Sequence, residues 1–128
     1  STRNSRQSNG TPMHRRGEVW LANLSPPRGT EPGKTRPVLV VQAQALLDAE
    51  HPSTIVVPLT TQLVENATPL RVRVPRSGKL RRDSDLLIDQ LRAVDNRRLV
   101  RGPLLELDDV LMHGVAAAIR EVLGLEEW

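Results

Sequence analysis

Arginine is the residue type with the most chemistry to offer in this chain. Sixteen arginines stand against two lysines, and a guanidinium presents planar forks of N–H donors that fit the paired oxygens of a phosphate. Nine arginines and one lysine fall within residues 71–101 beside only four acidic groups, so that segment nets +6. Residues 106–128 carry six acidic groups and one arginine, netting −5. A basic surface beside an acidic C-terminal element suits a polyanionic ligand at one face; solvated, salt-bridged surface is the plainer reading of the same charges. Other candidates offer less. His14, His51 and His113 are scattered without a second ligand at metal spacing, and there is no cysteine, so neither a metal nor a cofactor is expected. Asp83, Asp85 and Asp89 are the only dense carboxylates. They lack the glycine and terminal glutamate of a calcium loop and are expected to pair with Arg81 and Arg82. No phosphate-binding glycine loop, dinucleotide fingerprint or nucleophile elbow occurs. Trp20 and Trp128 are the only aromatic residues, too few for a base-stacking platform, and Trp20 is expected in the core or at a dimer interface.

The elements that must position these groups are short and mostly extended. Residues 1–12 are polar and aperiodic, the composition of a disordered tail or of an expression leader. A single domain is expected over 13–128, since a chain of 128 residues supports one hydrophobic core. E-V-W-L-A-N-L after Gly17 alternates Val19 and Leu21 with Trp20, Ala22 and Leu24, as a strand does. Residues 25–35 hold three prolines and two glycines and read as a loop, of a length that is usually functional or disordered. Arg36-Pro37 then opens V-L-V-V-Q, apolar enough to be buried on both faces. A helical turn over 43–50, a strand over 54–59 and a half-exposed strand over 70–74 with Arg71 and Arg73 on its wet face follow. Two more extended runs cover 86–88 and 91–94, and Gly102-Pro103 is expected to break the chain before Leu104. Asp108 is a helix N-cap, Leu111, Val115, Ala118, Ile119 and Val122 recur at helical spacing, and Gly124 is the stop. The expected fold is mostly β with a C-terminal helix: a small barrel of five to seven antiparallel strands. No apolar run reaches membrane-spanning length and no secretory leader is legible, so a cytoplasmic protein without a membrane partner is expected.

Three segments add a resemblance: R-G-E-V-W-L-A-N-L-S-P-P-R-G-T-E-P-G-K-T-R-P-V-L-V-V-Q at 16–42, T-I-V-V-P-L-T-T-Q at 54–62, and D-S-D-L-L-I-D-Q-L-R-A-V-D-N-R-R-L at 83–99. In order and spacing they resemble the MazF/PemK toxins over about residues 15–123, the first segment being the most diagnostic. The resemblance implies an SH3-like barrel, a homodimer, sequence-specific cleavage of single-stranded RNA, and inhibition by a cognate acidic antitoxin. It puts the family's catalytic arginine on Arg36 and its catalytic hydroxyl on Thr60. RNA contacts fall on Gly29, Thr30, Glu31 and Gln90, with Arg28, Lys34, Thr61, Gln62 and Arg92 beside them.

The implied chemistry suits these residue types. Attack by a ribose 2′-hydroxyl, which leaves a 2′,3′-cyclic phosphate and a 5′-hydroxyl, requires stabilised charge on the non-bridging oxygens, and a guanidinium supplies it. A threonine hydroxyl donates to the same oxygens or to the leaving group. Arginine as a general base is disfavoured, because a guanidinium holds its proton at neutral pH. By residue type alone, Arg36 is a strand-end surface arginine, Thr60 a turn residue, Gln90 a polar residue at a sheet edge, and Glu31 a partner for Lys34 or Arg28. Two other classes also fit: a non-catalytic CcdB-like gyrase poison acting through a C-terminal tryptophan such as Trp128, and a plain nucleic-acid-binding barrel. Neither needs the Arg36 and Thr60 pair.

Overall fold

The computed structural model of the chain describes residues 13–25 and 34–128. Seven strands and a long C-terminal helix account for most of them: β1 (Glu18–Ser25), β2 (Lys34–Val40), a one-turn helix α1 (Gln44–Asp48), β3 (Ser53–Thr60), β4 (Arg71–Val74), β5 (Ser84–Leu87), β6 (Arg92–Asp95), β7 (Leu99–Glu106) and α2 (Asp109–Leu123). The 3-10 turns Ile88–Gln90 and Asn96–Arg98 link β5 to β6 and β6 to β7. Every pairing is antiparallel, in the order β4-β5-β3-β2-β1-β7, with β6 also paired to β3. The outer edge of β3 is thus divided: Ser53–Val56 pair with β6, and Leu59 and Thr60 with β5.

Side-chain alternation assigns the two faces of this sheet to two cores. Val19 and Leu21 of β1, Leu39 of β2, and Val57 and Leu59 of β3 face the helix, where Val115 and Ala118 are buried against them. Trp20, Ala22, Val38, Val40 and Val56 face the other way, together with Val94 of β6 and Leu99 of β7. β6 and β7 lie at opposite ends of the strip β6-β3-β2-β1-β7, so a shared cluster between them means that the strip curls. The result approximates a small barrel without closing its hydrogen-bond ladder. Burial on both faces explains the unbroken apolar run of β2, and Trp20, fully buried with Nε1 donating to Glu18 Oε1 at 3.0 Å, belongs to the core.

α2 begins and ends where its sequence signals stand. Asp108 Oδ1 accepts from Leu111 N at 2.8 Å, and Gly124 closes the helix at φ 65°, a left-handed conformation that glycine adopts without steric cost. Leu111, Met112, Ile119 and Val122 pack on the helix-side core, and the helix backs the Ile88–Gln90 turn and β4.

Two expectations need correction. Gly102-Pro103 does not break the chain: both residues lie inside β7. β7 is an edge strand, where a missing N–H costs no ladder bond, and its pairing with β1 shifts register beside Leu21. Gly102 also lies against the Trp20 ring, where a β-carbon would fall 2.5 Å from Cδ2. The carboxylates also have other partners than Arg81 and Arg82. Asp83 accepts from Arg76 N, and Asp85 binds Arg71 and Arg73. Arg81 and Arg82 are adjacent in sequence to Asp83, but the β4–β5 hairpin sets Arg73 directly across from Asp85 and Arg71 on the diagonal, within reach of it.

Candidate active site

The face that buries Val38, Val40 and Val56 runs on past the apolar cluster towards one end of the barrel. Arg36 follows Val38 on this face of β2, and Thr60 follows Pro58, the partner of Val38, on β3. Val38 pairs with Pro58 and Leu39 with Val57, and Arg36 and Thr60 each stand two residues beyond the Val38–Pro58 pair on their own strands. Pairing of Ala22 with Arg36 holds β2 from its other side. Both residues line a cleft of about 510 Å³, together with Thr35, Pro37, Leu59, Thr61, Gln62, Arg71, Leu87 and Gln90.

The hydroxyl of Thr60 is oriented by its own turn. Thr60 Oγ1 accepts from Gln62 N at 3.2 Å, which leaves the hydroxyl proton available to a ligand in the cleft. Arg71 Nη1 donates to Gln62 O at 2.7 Å, so the backbone of Gln62 is held at both ends. Behind this turn Asp85 is buried, its side chain 1% exposed. It accepts from Arg73 Nε at 2.6 Å, Val64 N at 2.9 Å and Arg71 Nη1 at 3.2 Å. Burial alone would raise the Asp85 carboxyl, but hydrogen bonds from Arg73, the Val64 amide and Arg71 outweigh it and hold the group below its ordinary value. Arg73 also reaches Glu65 at 3.1 Å, and the Asp85 and Glu65 hydrogen bonds raise its guanidinium above its ordinary value.

Residues 15–123 match the family described as PemK-like, MazF-like toxin of type II toxin-antitoxin system. This chain belongs to that family. It is 39% identical over 114 residues to an Endoribonuclease MazF of Staphylococcus saprophyticus, an alignment covering 88% of this chain and 93% of that protein. A MazE-MazF crystal structure from Deinococcus radiodurans superposes with a TM-score of 0.73 at 23% identity, over 88% of this chain and 97% of that one. A mycobacterial endoribonuclease in complex with its cognate antitoxin superposes with a TM-score of 0.68 at 21% identity, over 88% and 96%. At such identities the solved structures speak for the fold, and the MazF-like fold is the one described above.

Of the residues singled out in this MazF-like toxin, Arg36, Thr60, Thr61, Gln62 and Gln90 come together in the cleft. Lys34 and Arg92 do not line it. Lys34 is exposed opposite Ser25, and Arg92 is exposed with Nη1 3.5 Å from Leu24 O. Arg28, Gly29, Thr30 and Glu31 lie outside the described residues. Sequence reasoning missed Thr35, Pro37, Leu59, Arg71 and Leu87. Arg71 was legible as an arginine on the wet side of its strand, but only the β4-β5-β3 pairing brings that side to the Thr60 turn. Among the described residues, no three of His, Cys, Asp or Glu gather closely enough to hold a metal ion.

Proposed function

We propose that this MazF-like toxin is an endoribonuclease that cleaves single-stranded RNA at the Arg36–Thr60 cleft by 2′-hydroxyl attack. The observation that carries the reading is the convergence of a guanidinium and a hydroxyl with an available proton on one cleft. The Staphylococcus saprophyticus relative, named as an endoribonuclease, supports the same activity. In the proposed step the 2′ oxygen bonds to phosphorus as the bond to the 5′ oxygen breaks. The 2′-hydroxyl yields its proton to solvent and the 5′ oxygen gains one, so the products are a 2′,3′-cyclic phosphate and a 5′-hydroxyl. Arg36 stabilises the charge that grows on the non-bridging oxygens. Thr60 donates to those oxygens or to the departing one. Because the guanidinium supplies the positive charge, the step needs no metal ion.

The test is incubation of purified protein with a long single-stranded RNA in excess EDTA. Cyclic-phosphate and 5′-hydroxyl ends are expected. A deoxyribose immediately 5′ of the cut should block cleavage while permitting binding. A strict magnesium requirement, or cleavage of the deoxy-substituted strand, would overturn the mechanism. One observation favours the gyrase-poison reading: Trp128 is 97% exposed at the end of the chain. Intact RNA in this assay, with gyrase inhibited, would establish it instead.

The partners follow from the same reading: a homodimer, and an acidic, partly disordered antitoxin that folds across the cleft and competes with RNA. The mycobacterial neighbour, solved with its cognate antitoxin, supports such a partner. Simultaneous saturation of one site by antitoxin and uncleaved RNA would contradict the competition.

A further inference from the structure

The Asp85 network adjoins the cleft but takes no part in the cleavage chemistry. Asp85 sits mid-sheet, paired with Thr60 of β3 on one side and Arg73 of β4 on the other. A carboxylate withdrawn from water is costly unless its lone pairs are met, and the three donors on Asp85 meet them. Of its two guanidinium partners only Arg71 lines the cleft. Nη1 of Arg71 is divided between Asp85 and Gln62 O. Nε and Nη2, the two donors along the other edge of the guanidinium, carry no hydrogen bond among the described residues.

Charge then separates Arg71 from Arg36. Arg71, Arg73, Asp85 and Glu65 form a connected group whose charges cancel. Arg36 has no acidic partner among the described residues. Arg36 is therefore suited to a phosphate, whereas Arg71 offers a fixed fork of two donors with little net charge. An uncharged edge with two adjacent acceptors matches that fork, and guanine presents one in O6 and N7. Building on the ribonuclease reading, we propose that Arg71 is a specificity-determining residue that reads a guanine close to the cut. Asp85 is the positioning residue that fixes its guanidinium.

Mapping of cleaved ends from a random RNA pool tests this, together with kcat/KM on an oligonucleotide carrying guanine or 7-deazaguanine at the enriched position. Wild type is expected to enrich guanine at one fixed distance from the cut and to lose about 5- to 150-fold in kcat/KM when N7 is replaced by carbon. Arg71→Ala is expected to lose the enrichment and to respond to the deaza base by less than about twofold, the contact being already gone. Arg71→Lys restores a cation without the fork and is expected not to restore the preference. Asp85→Asn is expected to weaken it. If Asp85→Asn does not fold, Arg71→Ala and the wild-type deaza comparison decide the matter alone. Binding of an uncleavable deoxy analogue supplies the control: its salt slope is expected to be the same for wild type and Arg71→Ala. A slope reduced by about 0.7 in the variant would make Arg71 a phosphate contact and overturn the assignment. Cleavage without guanine enrichment, or enrichment that survives Arg71→Ala, would overturn it while leaving the ribonuclease reading standing. No cleavage of any RNA by wild type would overturn both.

Discussion

Thr60 and Arg36 divide the work of the proposed reaction, one giving a directed hydroxyl and the other a charge, so their removal separates two effects. Arg36→Ala and Thr60→Ala are each expected to lower the cleavage rate by about 100- to 1000-fold, the usual loss for one preorganised donor. Single-turnover rates on a fixed RNA, with folding confirmed by circular dichroism, measure this; a rate within about threefold of wild type takes that residue out of the site. On the uncleavable analogue, Arg36→Ala is expected to flatten the salt slope by about 0.7, one phosphate's worth, whereas Thr60→Ala leaves it nearly unchanged. Asp85 gives the residue scale a pH dependence. Its folded-state carboxyl lies below the ordinary 3.8, so the stability it contributes is complete above the unfolded pKa of about 4 and is lost as pH falls through the folded value. Urea unfolding midpoints are therefore expected to fall more steeply below about pH 4 in wild type than in Asp85→Asn, which has no carboxyl to protonate there. Parallel acid limbs for the two proteins would contradict it.

At the scale of elements, one glycine and one helix cap hold the scaffold on which the cleft depends. In β7, Gly102 lets the strand lie on the Trp20 ring; a β-carbon there would meet Cδ2 at 2.5 Å and Cγ at 2.7 Å. Both are atoms of a buried ring that cannot rotate aside, so Gly102→Ala is expected to cost about 1–3 kcal/mol by overpacking. Chemical denaturation measures it, and an unchanged midpoint would mean that the strand can slide. Asp108→Ala removes the side-chain cap of α2 and is expected to cost about 1 kcal/mol, read as a lowered melting temperature. Because α2 backs the turn that carries Gln90, the variant is also expected to raise KM more than it lowers kcat. The turn positions a cleft wall, whereas the residues proposed to act on the phosphate, Arg36 and Thr60, stand on β2 and β3.

At the scale of the whole molecule, the two cores explain how so small a chain supports an open cleft. The helix-side core fixes the sheet from one side and the Trp20 cluster fills its curl from the other, so both strands that carry Arg36 and Thr60 are anchored on two faces. A dimer would bury further apolar surface from a modest core. Sedimentation at micromolar concentration is expected to give twice the chain mass, and a monomer would count against the dimeric reading.

The periodicity of side chains, caps and turns was enough to place the elements other than β7, because those signals are local: alternation marks a strand, and Asp108 with Gly124 brackets a helix. Local reasoning failed where a distant partner decided the outcome. Gly102-Pro103 looks like a break until Trp20, far away in sequence, is laid against it. Asp85 looks like a partner for neighbouring arginines until the hairpin turns Arg71 and Arg73 towards it. The resemblance marked Arg36, Thr60 and Gln90 in the sequence, but nothing in the linear order makes them neighbours. That is decided by strand register, which fixes which residue stands opposite which, and by sheet curl, which turns those positions to one side. Both are settled by the summed packing of two cores and belong to the tertiary structure alone.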